Sequence, residues 1–575
     1  MENGNRITPV QRFLRLLKPD KREITNIYVY AIFSGLVNLS LPLGIQAIIN
    51  LIQGGQINTS WIVLVVIVIA GIAITGILQI FQLRITENLQ QKVFVRAAFE
   101  FAYRIPRIKL EALYRHHAPE LMNRFFDTVS VQKGLPKILI DFSTATLQVI
   151  FGLLLLSFYH PFFILFSLFL VILVYTIFRI TAKRGLITSL DESKQKYKMA
   201  YWLEELARTN NTFKLAGKNS LPLQRTDDHS ADYLKSRESH FQVLIQQYWL
   251  MVVFRVFVAT GLLAIGGILV MEQQMNIGQF VAAEIIVLLV IASVEKLVFS
   301  METIYDVLTA LEKIGQVTDM ELEKKEGIDM TEHCKEEGLE VEMKDLSFSY
   351  PGHEKRFLDE ITLTIKSGEK IVLTGSNGSG KSTLLHILAG LYDVQEGNIS
   401  YNGLPKGNLD LDSLRSVIGD YLSQEQIFEG TVLENITMGK EEVTFENVKW
   451  AVRNLGLESF IKQLTEGYDT VLSPEGKKLP RSIVQKLLLA RSVADKPKLL
   501  LMEDAFEHID ESDLRSIMDF LTDKSNKWTL VAVSSDPYLA KRSDRIIIME
   551  KGKIVNSGTY NNMKGLAPLK LKNHA

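Results

Sequence analysis

Residues 370–388 read Lys370-Ile-Val-Leu-Thr-Gly-Ser-Asn-Gly-Ser-Gly-Lys-Ser-Thr-Leu-Leu-His-Ile-Leu388. An apolar run, a glycine-rich turn and a second apolar run predict strand, loop and helix in that order. Within them, Gly375-Ser376-Asn377-Gly378-Ser379-Gly380-Lys381-Ser382, followed by Thr383, is a complete G-x-x-x-x-G-K-[ST] phosphate-binding loop. Its three glycines let backbone N–H groups close around phosphate oxygens. Lys381 reaches the outer phosphates, and the Ser382 hydroxyl is a ligand for Mg²⁺, all at a helix N-terminus whose dipole favours anions. The pattern implies ATP or GTP.

The chain around this loop has 575 residues, of which 47% are hydrophobic. A length of that order implies more than one domain, and the apolar content, concentrated in the first half, is high for a wholly soluble enzyme. The 64 basic and 65 acidic residues leave a net charge of −1, which gives no electrostatic reason to expect a nucleic-acid partner. A single cysteine, Cys334, excludes an intrachain disulfide and argues against a cysteine-based metal site.

Apolar stretches of the ~20 residues needed to cross a bilayer lie near 26–52, 61–83, 138–158, 161–181, 249–271 and 277–300. The connections Gln53 to Ser60, around Tyr159-His160, and Glu272 to Asn276 carry no Lys or Arg, whereas the N-terminus and segments 84–137 and 180–248 are rich in both. The positive-inside rule then predicts a cytoplasmic N-terminus and six crossings that return the chain to the cytoplasm. No cleavable leader is expected. Thr8-Pro-Val-Gln-Arg-Phe-Leu-Arg-Leu-Leu-Lys18 instead predicts a basic amphipathic helix with Thr8 as N-cap and Gln11 closing a capping box, suited to the membrane lipid of the inner leaflet.

The polar segments 84–137 and 180–248 are expected to be helical extensions of the spans. Their amphipathic tips near 118–126 and 202–209, the second expected to expose Trp202, have two readings: docking elements for a cytoplasmic domain, or solvated helical hairpins. A charged linker follows, and a second, α/β domain begins near Gly338. The expected organisation is an amphipathic elbow helix at 1–24, a six-helix all-α transmembrane domain at 25–320, the linker at 321–337 and an α/β phosphate-loop nucleotide-binding domain at 338–575.

From Leu339 to about Gly565 the order of motifs resembles the ATPase domain of ABC transporters. It runs through Tyr350, the loop at 375–382, Gln424 in Tyr-Leu-Ser-Gln-Glu, Gly430-Thr-Val-Leu-Glu-Asn-Ile436, Gly467-Tyr-Asp-Thr470 and Asp544-Arg-Ile-Ile-Ile-Met-Glu-Lys-Gly552. With six preceding spans the chain resembles a half-transporter of the type I exporter architecture. Leu41-Pro-Leu-Gly-Ile-Gln-Ala-Ile-Ile-Asn50 and Asn276-Ile-Gly-Gln-Phe280 are similar to type I protein and peptide secretion permeases, without the N-terminal peptidase domain some of them carry. The resemblance implies ATP and Mg²⁺ as ligands, Tyr350 stacked on adenine, and Gln424 and Ser382 on the metal. It also implies a second half-transporter, the same or different, whose Leu-Ser-Gly-Gly-Gln signature closes each nucleotide site. An exported substrate follows, in a bacterial inner or plasma membrane, with a periplasmic adaptor if the likeness to secretion systems extends to assembly.

Against that pattern the turnover residues depart. Anchoring on Leu489-Ala-Arg491 places the signature at Leu479-Pro-Arg-Ser-Ile483. Pro480 has neither hydroxyl nor N–H where the family has Ser, and Arg481 and Ser482 put side chains where glycines allow close approach to phosphate. The strand Lys498-Leu-Leu-Leu-Met502 ends in Glu503-Asp504 where the family has Asp then Glu. Glu503 can still serve Mg²⁺, but Asp504 is one methylene short as the group that polarises water, and a misplacement of about 1 Å costs ~10²-fold. After Thr529-Leu-Val-Ala-Val533 the expected Ala-His is Ser534-Ser535, so Ser535 offers at most a shorter hydrogen bond to the γ-phosphate. His508 reads as a surface or interface histidine. The implied catalytic set, Asp504, Gln424 and Ser535, is thus weakened while the binding set survives.

Charged residues in the spans face protein or water rather than lipid. Glu284 reads either as a cavity residue or as one half of a structural pair, and Arg255 and Glu295-Lys296 as snorkelling or cavity-lining groups. Two functions follow: an export ATPase with weak or absent hydrolysis, or a non-hydrolytic nucleotide-binding subunit that regulates a partner.

Overall fold

The computed structural model describes residues 7–53, 59–114, 116–334, 337–422, 426–503, 506 and 508–563. The chain divides into two compact units. The first comprises Met1–Pro106 and His116–Met320, the second Arg107–Arg115 and Glu321–Ala575. The nine residues 107–115 therefore group with the second unit although both their flanks belong to the first.

The first unit is helical. It opens with α1, Pro9–Leu17, whose capping box joins the Thr8 N–H to Gln11 Oε1 at 2.9 Å and the Gln11 N–H to Thr8 Oγ1 at 3.3 Å. Among the described residues six helical stretches are long and apolar enough to cross a membrane: Pro9–Gln53, Thr59–Arg107, Ala118–Ser157, Pro161–Arg208, Leu221–Met271 and Ile277–Thr318. Four contain long helices: α2, Thr59–Arg104; α3, Pro161–Arg208; α4, Leu221–Gly261; and α5, Ile277–Thr318. The 46 residues of α2 make a rod of ~70 Å, more than twice a ~30 Å hydrocarbon core. Helix α2 carries the second span on to Arg104, α3 carries the fourth to Arg208, and α4 starts at Leu221 ahead of the fifth, so these parts of the polar segments are helical extensions of spans, as expected.

Ile62, Val66, Ile69 and Ile72 on α2, and Leu165, Leu168 and Ile172 on α3, are exposed apolar side chains of the kind that face lipid in a membrane-crossing helix. Inside, close packing relies on a small residue. A β-carbon on Gly185 of α3 would come within 2.3 Å of the Tyr305 ring of α5. Tyr305 OH in turn accepts from Gln247 Nε2 of α4 at 2.9 Å, and the same amide reaches Thr181 Oγ1 at 2.9 Å, so three helices share one buried polar knot.

The second unit is α/β. Strands β1 (Val341–Phe348), β2 (Leu358–Ile365), β4 (Glu396–Tyr401) and β5 (Leu404–Pro405) form an antiparallel sheet in the order β2-β1-β4-β5. The alternation Asp359-Glu-Ile-Thr-Leu-Thr-Ile365 explains why β2 buries Ile361, Leu363 and Ile365. The main sheet contains β3 (Lys370–Gly375), β6 (Ile418–Tyr421), β9 (Leu499–Glu503), β10 (Thr529–Val533), β11 (Arg545–Glu550) and β12 (Lys553–Gly558), ordered β12-β11-β3-β10-β9-β6. All neighbours are parallel except β12, and the continuous apolar runs of β3, β9 and β10 are buried on both faces. β7 (Gly430–Thr431) and β8 (Val471–Leu472) form a separate two-stranded pair.

Candidate nucleotide-binding site

The phosphate loop lies where β3 ends and α6, Lys381–Leu388, begins. Carboxyl ends of parallel strands are where open α/β sheets bind ligands. Gly378 has φ +77° and Gly380, the residue before α6, φ +99°, the left-handed region that glycine enters without a β-carbon clash. A β-carbon on Gly380 would meet Phe357 O at 2.7 Å, whereas one on Gly378 would meet nothing within 4 Å. One glycine is required by the wall behind the loop and the other leaves its outer side open. Lys381 Nζ donates to Gly375 O at 3.0 Å and Ser376 O at 2.9 Å, so the ammonium lies within the loop's own curve. The Gly552 N–H donates to Ser379 O at 3.0 Å, a brace from the β11–β12 turn that sequence reading missed and that only the Lys551-Gly552 turn signalled.

Sheet register assembles the remaining groups. Leu373, Val533 and Glu503 lie side by side on β3, β10 and β9, which brings Gly375, Ser535 and the end of β9 to one edge. Glu503 is 5% exposed. Ser535 is exposed and follows Ser534, whose N–H donates to Leu373 O at 3.1 Å. Tyr350 sits beside the loop: its hydroxyl and Thr383 Oγ1 are 3.1 Å apart, and burial pushes that hydroxyl's pKa up. Phe348, Phe357 and Tyr392 surround the Tyr350 ring at 80–88° to its plane. Burial lowers the pKa of His386 on α6, opposed by the nearby Glu503 charge. Gln424 and Asp504 lie outside the described residues. The loop, Glu503, Ser535 and Tyr350 thus gather at one place, suited to a triphosphate beside an aromatic.

The sequence pattern of the ABC transporter family matches residues 358–507, and that of the ABC transporter transmembrane region matches 24–294. The chain belongs to the ABC transporters. A third pattern, that of RsgA GTPase, matches 267–407, a range that includes the phosphate loop. This ABC transporter is 23% identical over 553 residues to "Transport/processing ATP-binding protein ComA" of Streptococcus pneumoniae (strain ATCC BAA-255 / R6), covering 95% of this chain and 76% of the relative. It is 28% identical over 298 residues to "Alpha-hemolysin translocation ATP-binding protein HlyB" of Escherichia coli O157:H7, covering 52% and 42% of the two chains. The solved structure of a bacterial Atm1-family ABC exporter with ATP bound shares the fold, with a TM-score of 0.82 at 17% identity over 94% of this chain and 96% of that one. The protein is an integral membrane transporter of exporter type with a nucleotide-binding domain.

In this ABC transporter the segment aligned with the signature starts a helix. Pro480, extended at φ −56° and ψ 142°, precedes α7, Arg481–Ala494, and its carbonyl accepts from Ile483 and Val484 N–H groups at 3.0 and 3.1 Å. Pro480 gives α7 no side-chain cap, and Arg481, exposed in the first turn, puts a cation at the positive end of the helix dipole. His508 is exposed, and its N–H donates to Gln485 Oε1 at 3.2 Å.

Several expectations change. Trp202, read as exposed, is 6% exposed: its Nε1 donates to Thr226 Oγ1 at 3.1 Å, Phe213 meets its ring edge-on and Arg225 lies over it. Stretches 118–126 and 202–209 group with the membrane unit, within the expected 25–320, whereas 107–115, expected there too, groups with the ATPase unit. Its backbone pairs there: the Lys109 N–H donates to Glu321 O at 3.0 Å and the Glu323 N–H to Arg107 O at 2.9 Å. No local signal marks it, because the partners Glu321 and Glu323 lie more than two hundred residues further along the chain. In the spans, Arg255 pairs with Glu295, and Lys296 with Asp141 at 2.8 Å. Glu284 is half-buried and has no ion pair among the described residues.

Proposed function

We propose that this chain is one half of an exporter in which ATP binding is retained and ATP turnover is slow or absent. The observation that carries the reading is the contrast between two helix starts. At Gly380 the chain keeps the left-handed glycines and open outer side a phosphate needs, while at Pro480-Arg481 it replaces the groups that would close a partner's site. The Ser382 hydroxyl and the Glu503 carboxylate are hard oxygen donors that suit Mg²⁺, with Gln424 as the third expected ligand. Bound there, the ion would neutralise phosphate charge. Tyr350 would stack on the base.

The cargo is proposed from relatives named for transport and processing and for alpha-hemolysin translocation. A peptide, protein, lipid or amphipathic compound moved outward across a bacterial inner or plasma membrane is the proposed cargo, with the ATPase unit cytoplasmic. Two chains are required, since each nucleotide site takes its signature from a partner. With an identical partner both sites carry Pro480, Asp504 and Ser535; with a consensus partner each site is defective on one side. The alternative, a non-hydrolytic regulatory subunit of a heteromeric transporter, is favoured by Arg481, which obstructs the approach glycine permits.

The test is the full chain purified in lipid, with Mg-ATP binding and phosphate release measured on one sample and any co-purifying chain identified by mass. Saturable binding with little release supports the proposal, and release at the rate of a consensus exporter by the chain alone rejects slow turnover.

A further inference from the structure

The one ring parallel to Tyr350 among the described residues belongs to neither strand nor loop of the ATPase fold. Tyr114, from the short stretch 107–115, stacks on Tyr350 with centroids 5.3 Å apart and planes 15° from parallel. The other three ring neighbours of Tyr350 are perpendicular to it. Parallel offset stacking is also how a purine uses an aromatic side chain. Tyr114 therefore holds the geometry that a base would need.

The contact is anchored. The Tyr114 hydroxyl and His353 Nε2 are hydrogen-bonded at 3.2 Å, and the Asp393 N–H donates to Glu111 Oε1 at 2.8 Å. Ile108 bridges Leu322 in antiparallel register. Tyr114 is nonetheless 40% exposed, so little burial opposes its swinging away.

We propose that Tyr114 is a specificity-determining competitor at the base site: it occupies the stacking face of Tyr350, and an adenine base binds by displacing it. This inference rests on Tyr350 being the base-stacking ring. Its effect is selective. Phosphate binding at the loop does not involve Tyr114, so only ligands with a base pay for the displacement. By linkage, whatever loosens Tyr114 from Tyr350 raises affinity for ATP, and ATP loosens Tyr114 to the same degree.

The experiment measures equilibrium binding of Mg-ATP and of inorganic tripolyphosphate to the full chain in lipid. Tyr114→Ala is expected to tighten Mg-ATP binding about two- to tenfold, the size of one aromatic pair, and to leave tripolyphosphate binding unchanged. Tyr114→Phe, which keeps the ring, is expected to bind ATP like the wild type or up to about twofold tighter. Unchanged or weaker ATP binding in Tyr114→Ala, or an equal change for both ligands, overturns the proposal. Adding Tyr350→Ala to Tyr114→Ala separates the two readings: loss of ATP affinity in the double variant retains Tyr350 as the base-stacking ring whatever Tyr114 does, and no loss removes that role and the competition with it.

Discussion

Gly375 backs onto Met549: a β-carbon on Gly375 would come within 2.2 Å of the Met549 carbonyl oxygen. The two residues are register partners on parallel strands β3 and β11, so neither backbone can retreat without disturbing the ladder. Gly375→Ala should destabilise the ATPase unit by about 1–3 kcal/mol, the usual cost of forced overpacking, and lower Mg-ATP affinity as the loop shifts. Gly378→Ala meets no neighbour and carries only the left-handed strain of its φ +77°, about 1–2 kcal/mol, so it should leave the unfolding temperature closer to wild type. Thermal unfolding beside equilibrium binding distinguishes them, and equal unfolding temperatures for both variants would contradict the steric argument.

Lys381 is held by carbonyls of its own loop, poised where a phosphate would sit. Lys381→Ala should weaken Mg-ATP binding by about 10- to 100-fold, the scale of a charge-assisted hydrogen bond. Titration calorimetry would read it. Undiminished affinity would mean the triphosphate binds elsewhere.

Turnover should resist single repairs, because groups that act as a unit are not additive. Asp504→Glu with Ser535→His restores one side of each site in a homodimer. Phosphate release should rise only when Pro480→Ser, Arg481→Gly, Ser482→Gly and Ile483→Gln are added. A large rise from the first pair alone would place the block away from Pro480 and Arg481.

Lys370 is 1% exposed, and its ammonium donates to the carbonyls of Asn526 at 2.9 Å and Trp528 at 2.5 Å. Burial pushes its pKa down to about 8 from an ordinary 10.5. Between those values the unfolded chain binds the extra proton, so this group's contribution makes stability rise with pH there, by at most about 1.4 kcal/mol per pH unit. Below pH 8 both states are protonated and the slope vanishes. Lys370→Met should flatten the pH 8–10 rise in the unfolding temperature of the ATPase unit; an unaltered slope would mean the ammonium is as well solvated folded as unfolded.

The sequence was most legible where function is local. Residues 375–382 carry their loop geometry in three glycines, and Thr8 and Gln11 carry their capping box three residues apart. Six apolar runs likewise announce six membrane-crossing stretches, since length and hydropathy are sufficient signals. Trp202 was misjudged because its burying partners, Phe213 and Arg225, belong to the following helices, and nothing in a polar stretch tells which face they cover. The place of 107–115 was illegible for the same reason: Glu111 meets Asp393, and Tyr114 meets Tyr350, across more than two hundred residues. The register that aligns Leu373, Val533 and Glu503 is also a property of the sheet, not of any one strand.

The discontinuity of the second unit bears on how such chains can be recombined. A crossover at the linker near Glu321 would exchange almost the whole ATPase unit between homologues yet leave Arg107–Arg115 behind in the other parent's sequence. The orphaned piece would then have to satisfy the Asp393 N–H and the Tyr350 ring of a stranger. Functional chimeras of this transporter are therefore to be built by moving two fragments together, and natural exchange of the ATPase module is constrained by nine residues that lie more than two hundred positions upstream of the crossover.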